Sequence, residues 1–154
     1  MTKKLGFTLV ELLVVIGIVA ALTTVVFVSI NPLERFKDAR DARRVTDADT
    51  ILSAVTQYIV DSGGSLPAGV GATYNQIGTC ALGGGSTFCT AIGATAPCVN
   101  LGVALSGNKY IKSNPMDPSG GNAVTTGYAI NKDANNVFTV YACLAEGSTI
   151  TVTR

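Results

Sequence analysis

Histidine and tryptophan are both absent from this chain of 154 residues. Histidine is the commonest general base and metal ligand in proteins, so its absence removes the side chain on which many catalytic sites depend. The Gly-Gly-Gly run before Ser86 has no base beside it, and Gly69-Val-Gly71 does not continue as a phosphate-binding loop. The sequence therefore predicts a protein that is not an enzyme, has no catalytic residues and carries no cofactor.

Charge is scarce over most of the chain. The net charge of +1 gives no reason to expect a nucleic acid or another strongly charged partner. Ten of the 21 charged residues lie between Glu34 and Asp49, five of each sign, whereas residues 62–154 contain seven. We interpret the stretch 34–49 as a solvated helix face, with contacts between subunits of an array as the alternative. The Ser- and Thr-rich remainder is typical of an exported domain.

The four cysteines, Cys80, Cys89, Cys98 and Cys143, all lie in the second half. They form no Cys-x-x-Cys motif and have no histidine partners, which argues against zinc. An even number of cysteines in a small exported domain favours two disulfides, formed outside the reducing cytosol. Of the three possible pairings, we predict Cys80–Cys89 and Cys98–Cys143, with the second bond on the sheet face away from the helix.

One long apolar run begins near the N-terminus. Residues 7–30 contain a single ionisable side chain, Glu11. As a helix this run would span roughly 36 Å, enough to cross a hydrocarbon core of about 30 Å. Lys3 and Lys4 precede it, so the positive-inside rule places the N-terminus in the cytoplasm and the remaining domain outside.

Asn31-Pro32 interrupts this run, and apolar residues at helical spacing over residues 33–60 then predict an amphipathic continuation. Turn residues at 61–67 end it. The stripe expected to face a core consists of Val45, Ala48, Leu52, Val55 and Ile59, flanked by Ile51 and Tyr58.

Residues 68–98 are rich in Gly, Thr and Ala and predict a long loop region, followed by a short helix around 99–106. Alternation over the last 27 residues predicts three short antiparallel strands. Because a sheet with one apolar face needs a cover, we expect the helix stripe to pack on it. The fold class is α+β: a long N-terminal helix, half membrane span and half amphipathic, on a small antiparallel sheet of about three strands with disulfide-tied loops.

The first residues combine features that ordinary membrane spans avoid. A short basic leader ends in Gly6, Phe7 follows, and Glu11 comes four residues later inside the apolar helix. This resembles the class III signal of type IV prepilins and type II secretion pseudopilins, in detail over about the first 30 residues and loosely in the helix-then-sheet layout. The resemblance implies cleavage between Gly6 and Phe7 by a membrane-embedded prepilin peptidase, N-methylation of Phe7, and retention of the apolar helix.

The resemblance also implies a division of the chain. Residues 1–6 would be the cleaved leader, 7–30 the membrane and fibre-core helix, 31–61 the amphipathic helix and 62–154 the globular head. A conventional signal peptide cut near Val19-Ala20-Ala21 is the alternative, and it would leave an exposed apolar tail. Pro32 comes later than the proline that the family commonly has in its anchor. Gly17 and Thr23-Thr24-Val25-Val26 are other points at which the helix could unwind.

A carboxylate packed among apolar helices needs a counter-charge. Before cleavage the nitrogen of Phe7 is an amide, and after cleavage it is a cationic amine, so processing itself creates that charge. We predict that Glu11 pairs with the Phe7 amine of another subunit and sets the axial register of a fibre. The alternative is that Glu11 lies one turn from the membrane surface, stabilised by the helix N-terminus and reached by water.

The function implied is that of a structural subunit of a type IV pilus-like filament, built by head-to-tail contacts. The implied partners are copies of itself, related minor pilins, the prepilin peptidase, an assembly platform protein with its ATPase, and membrane lipid. The protein would be a single-pass inner-membrane protein with its head outside, and then part of an extracellular surface filament. A type II secretion pseudopilin and a non-polymerising, membrane-tethered binding domain are the alternatives.

Major pseudopilins carry a calcium site in their C-terminal loops, for which Asp117 and Asp133 are weak candidates here. Calcium takes six to eight oxygen ligands, usually with several carboxylates. Two carboxylates fall short of that set, so we predict turn residues and no metal.

Overall fold

The computed structural model describes residues 6–79, 87–105 and 109–154. Its elements, in chain order, are α1 (Leu9–Ile30), α2 (Pro32–Asp61), β1 (Asn75–Ile77), a 3-10 helix (Thr90–Ile92), β2 (Thr95–Val99), α3 (Leu101–Leu105), β3 (Tyr128–Lys132), β4 (Phe138–Ala142) and β5 (Ile150–Thr153). The chain forms two compact units, Met1–Phe36 and Lys37–Arg154.

The predicted break at Asn31-Pro32 is confirmed. Asn31 adopts the left-handed conformation, with φ 45° and ψ 74°, which asparagine tolerates better than most residues. Pro32 opens α2, a position where its missing N–H would have no helical partner and its φ is already helical. The carbonyl of Asn31 accepts hydrogen bonds from the N–H groups of Glu34 and Arg35 at 3.1 and 3.4 Å. The dipeptide therefore ends one helix and begins the next.

The second half of α2 supplies the apolar stripe that covers the sheet. Three predicted stripe residues, Ala48, Leu52 and Val55, are fully buried, and so is Ile51, which was expected to flank the stripe. Tyr58 and Ile59 pack against the edge of the same core. The prediction is wrong at Val45, which is 48% exposed, because the neighbouring Arg44 takes the inward position.

The sheet has five strands in the order β2-β1-β3-β4-β5. β1 and β2 pair in parallel, and all other neighbours are antiparallel. The α+β class and the three predicted strands, β3 to β5, are confirmed. The loop prediction for residues 68–98 is wrong, because this region contains β1 and β2. β1 is short and largely polar, and β2 contains Pro97, which a strand tolerates at the sheet edge, where β2 lies.

Both faces of the sheet are covered. On the helix side, Val140 and Ala142 of β4 join the α2 stripe together with Tyr128 and Ile130 of β3. On the opposite side lies a smaller cluster that contains Cys89, Ala94, Ala129, Tyr74, Phe88, Ile92 and Cys143. The described residues 88–94, which precede β2, therefore cover the outer face.

Cys89 and Cys143 form a disulfide with their Cα atoms 5.1 Å apart. The predicted pairs Cys80–Cys89 and Cys98–Cys143 are therefore wrong. Cys98 lies on β2, which β1 and β3 separate from β4, whereas a disulfide needs Cα atoms within about 7 Å. Cys98 is itself disulfide-bonded, and Cys80 lies outside the described residues.

Arg44 is fully buried, and its guanidinium is completely hydrogen-bonded. Nε and Nη2 donate to the two carboxylate oxygens of Asp117 at 2.7 and 3.0 Å, and Nη2 also donates to Ser119 Oγ at 2.8 Å. Nη1 donates to Asp41 at 2.7 Å and to Glu146 at 3.0 Å. These contacts match the five N–H donors of a guanidinium. The interpretation of residues 34–49 as a solvated face is therefore wrong at Arg44.

We expect Leu52→Ala to lower the free energy of unfolding by about 2–5 kcal/mol, because it leaves a cavity in a fully buried position. Val45→Ala is the matched control, and half of its side chain is already exposed. Urea unfolding of the full chain in detergent micelles measures both. Equal losses for the two variants would contradict the position of the core.

The carboxylates around Arg44 predict a loss of stability in acid. Hydrogen bonds from Arg40 and then Arg44 lower the pKa of Glu146 to about 2. Burial would raise the pKa of Asp117, but the bonds from Arg44 and Ser119 outweigh it and hold that pKa below its ordinary value. Because both folded-state pKa values lie below the unfolded ones, the stabilisation is present above about pH 4.5 and is lost as the pH falls towards about 2.

Urea unfolding at about pH 7 and about pH 3 checks this expectation. Glu146→Gln should show a smaller loss of stability between the two conditions than the wild type, because it removes one of the titrating groups. The same loss in both proteins would contradict the role of Glu146.

Candidate processing and assembly site

α1 is apolar along its length and buries none of its residues. Its large apolar side chains, from Leu9 to Ile30, are 51–78% exposed. By length and composition the helix can cross a membrane. Since apolar surface on all sides of a helix is unfavourable in water, α1 needs lipid or other helices around it.

The hydroxyl groups within α1 are satisfied by the helix itself. Thr23, Thr24 and Ser29 each donate to the backbone carbonyl four residues earlier, at 2.7–2.9 Å. An unsatisfied polar group in hydrocarbon costs several kcal/mol, so these internal bonds suit the helix to an apolar environment.

Thr8 and Glu11 form a capping box at the start of α1. The hydroxyl oxygen of Thr8 accepts from the N–H of Glu11 at 3.2 Å. In return, Glu11 Oε2 accepts from the N–H and the hydroxyl of Thr8, both at 2.8 Å. The box satisfies backbone donors that a helix N-terminus otherwise leaves free. In the single chain, Glu11 is thus held by the N-terminus of its own helix.

Gly6 and Phe7 precede the helix in non-helical backbone. Phe7 is 87% exposed, and a Cβ placed on Gly6 would meet no atom within 4 Å. The peptide bond between them is therefore open to an enzyme, and the fold of the chain itself does not require glycine at position 6. The basic residues Lys3 and Lys4 lie outside the described residues.

The two carboxylates considered for calcium lie at opposite ends of β3. The N–H of Asp117 donates to the carbonyl of Thr126, just before the strand, and its carboxylate binds Arg44. Asp133 follows the strand and accepts from the N–H groups of Asn135 and Val137, both at 2.8 Å, within the β3–β4 turn. Among the described residues, no group of three or more acidic, Cys or His side chains could hold a metal.

The buried ion network around Arg44 is absent from the sequence-based candidates. One signal was present: Arg44 lies four residues before Ala48, so a helical stripe extended backwards passes through it as readily as through Val45. Its partner Asp117 is 73 residues further along the chain, and local periodicity cannot reveal such a pair.

Residues 1–27 match the family described as the prokaryotic N-terminal methylation motif. No curated protein and no solved structure shows a significant match to the chain. The matched segment is the class III prepilin-like signal of type IV pilins and pseudopilins, so the resemblance is confirmed. The motif supports a precursor of the type IV pilin or pseudopilin kind, and it points to a structural protein rather than an enzyme.

We expect Gly6→Val to block removal of the leader, because the resemblance implies cleavage directly after this glycine. The free energy of unfolding should not change, since a side chain at position 6 contacts nothing in the chain. Gly17→Ala is the control, because a Cβ at Gly17 also meets no atom within 4 Å but lies inside α1. Mass spectrometry of the N-terminal peptide measures processing. Wild-type processing of Gly6→Val would argue against cleavage after this residue.

Proposed function

We propose that this protein is a structural subunit of a type IV pilus-like filament. It is inserted in the inner membrane with its head outside, cleaved between Gly6 and Phe7 by a prepilin peptidase, N-methylated at Phe7, and polymerised through residues 7–30. One observation supports the proposal most directly: the methylation motif overlaps a 22-residue apolar helix that buries none of its residues.

The exposed surface of α1 supports polymerisation as well as anchoring. The same apolar side chains can face lipid before assembly and the helices of neighbouring copies afterwards, because both surroundings remove them from water. Head-to-tail contacts that do not close produce helical filaments. Copies of the chain and related minor pilins are the proposed neighbours. A platform protein and its ATPase are the proposed assembly machinery.

Within the filament, we assign Glu11 to the Phe7 amine of a neighbouring subunit. Both bonds from Thr8 go to Oε2 of Glu11. Among the described residues, Oε1 has no hydrogen-bond partner. A carboxylate offers about four acceptor positions over its two oxygens. The capping box and a bond between subunits are therefore compatible.

Two observations favour a surface pilus over a secretion pseudopilus. The Cys89–Cys143 disulfide and the low charge of residues 62–154 suit a fibre that is exposed outside the cell. Asp117 and Asp133, the two candidates for a pseudopilin-type calcium site, are engaged by Arg44 and by a turn.

Mass spectrometry of the mature protein, combined with electron microscopy of sheared surface fibres, tests the proposed function. We expect an N-terminus at Phe7 that carries a methyl group, and fibres whose subunit has this mass. A protein that still begins at Met1, or well past Phe7, would contradict the proposal. A correctly processed protein that is absent from fibres would favour the non-polymerising tethered domain.

Glu11→Val should be inserted and cleaved normally but enter fibres poorly, because it removes the proposed partner of the Phe7 amine. Ser29→Val is the matched control, since it also replaces a polar side chain of α1, but one bonded to its own helix. The yield of each variant in sheared fibres, relative to its membrane level, measures the effect. Wild-type yield of Glu11→Val would remove the proposed role of the carboxylate.

A further inference from the structure

The first turns of α2 in the head unit, residues 37–47, are called here the neck segment. Arg44 is its one buried residue, and the buried apolar side chains of α2 begin at Ala48. Ala39 and Ala42 are exposed, and Val45 is about half exposed. The neck segment therefore has no fully buried apolar side chain, unlike the turns that follow it.

Ionic and polar contacts tie the neck segment to two loops of the head, and the hydroxyl of Tyr128 in β3 donates to Asp47 at 3.0 Å. Arg40, Asp41 and Arg44 bind Asp117 and Ser119, which precede β3, and Glu146 and Gly147, which connect β4 and β5. We call this set of seven residues the neck clamp. The loop that contains Glu146 begins beside Cys143, which the disulfide to Cys89 secures.

The outer part of the clamp joins Arg40 and Asp41 to the β4–β5 loop. Arg40 binds both carboxylate oxygens of Glu146, through Nε at 2.5 Å and Nη2 at 2.6 Å. The carboxylate of Asp41 accepts from the backbone N–H groups of Glu146 and Gly147 at 3.1 and 2.8 Å. These side chains are partly exposed.

The inner part of the clamp, the pair of Arg44 and Asp117, is shielded from solvent. The side chains of Arg44 and Asp117 are both fully buried. The backbone at Gly127 lies close to Asp117: Gly127 has φ +86°, and a Cβ there would lie 2.7 Å from the Cβ of Asp117. Loss of one inner partner would leave a buried unpaired charge, which is strongly destabilising. The pair of Arg40 and Glu146 can be removed while Arg44 keeps Asp117, Ser119 and Asp41 as partners.

We propose that the neck clamp is a conformational strap that decides whether residues 37–47 belong to the head or to the N-terminal arm. When it is closed, the head begins at Lys37, where the compact unit begins. When it opens, α2 detaches as far as Ala48, where the apolar core begins. Arg44 then leaves Asp117, water reaches both charges, and the apolar core stays intact. The arm then gains eleven helical residues, or about 16 Å.

The strap follows from the different fastening of the two parts of α2. Segments with few buried apolar contacts open at lower free energy than the core and open as local units. The neck segment is fastened by directional contacts to two loops and by the bond from the Tyr128 hydroxyl of β3 to Asp47, and none of its apolar residues is buried. The use of the strap in a filament rests on the proposed function. There, a pull on α1 reaches the head through the backbone at Lys37. The strap itself does not depend on polymerisation.

Hydrogen exchange of the full chain in detergent micelles tests the strap. The double variant Arg40→Gln/Glu146→Gln removes the ion pairs of Glu146 with Arg40 and Arg44 and leaves Arg44 paired with Asp117 and Asp41. We expect the amides of residues 40–47 to exchange at least tenfold faster than in the wild type, while those of residues 51–59 change less than twofold. Arg154→Gln is the matched control, because it removes an ion pair between the head and Asp49 of α2, beyond the neck segment. It should leave residues 40–47 unchanged.

Unchanged exchange of residues 40–47 in the double variant would overturn the proposal, since the clamp would then not fasten them. Equal acceleration of residues 40–47 and 51–59 would overturn it as well, because the neck segment would then open only together with the core. Neither result depends on fibres. A failure of the filament proposal, seen as processed protein that never enters fibres, is therefore distinguishable from a failure of the strap.

Discussion

The structure is organised around an apolar helix that its own chain does not cover. α1 presents 22 residues without burying one, so its stability depends on surroundings that the single chain lacks. The head, in contrast, has a complete core of its own, whose buried apolar residues begin at Ala48. The break at Asn31-Pro32 lies within the first unit, and the first turn of α2 is exposed as α1 is: Leu33 and Phe36 are 71% and 63% exposed.

Periodicity predicted the parts of the fold that depend on local pattern. A pattern repeats over many residues in the apolar span, in the α2 stripe from Ala48 onward and in the alternating strands β3 to β5. The break was predicted from a single dipeptide, Asn31-Pro32. β1 has three residues and β2 contains Pro97, so neither could be distinguished from loop. The disulfide partner of Cys143 depends on the path that brings Cys89 to the outer face of the sheet. Spacing along the chain does not encode that path.

The same limit applies to the charges of α2. Five acids and five bases in sixteen residues are typical of a solvated helix, and most of this stretch is exposed. Arg44 differs from its neighbours only because Asp117 and Glu146, far along the chain, meet it. For the processing site the situation is reversed. Gly6, Phe7 and Glu11 are recognisable from sequence because they belong to a short linear motif that does not depend on how the rest of the chain folds.

The hydroxyl groups of α1 have one more consequence. Because the hydroxyl groups of Thr23, Thr24 and Ser29 donate to carbonyls of their own helix, they need no acceptor from the surroundings of the helix. Over most of its length α1 can therefore exchange one apolar environment for another without a change in polar pairing. The one ionisable side chain of the helix, Glu11, lies in its first turn. Under the proposed pairing of Glu11 with a neighbouring Phe7 amine, most of α1 supplies apolar contact, and the register between subunits is set at one end.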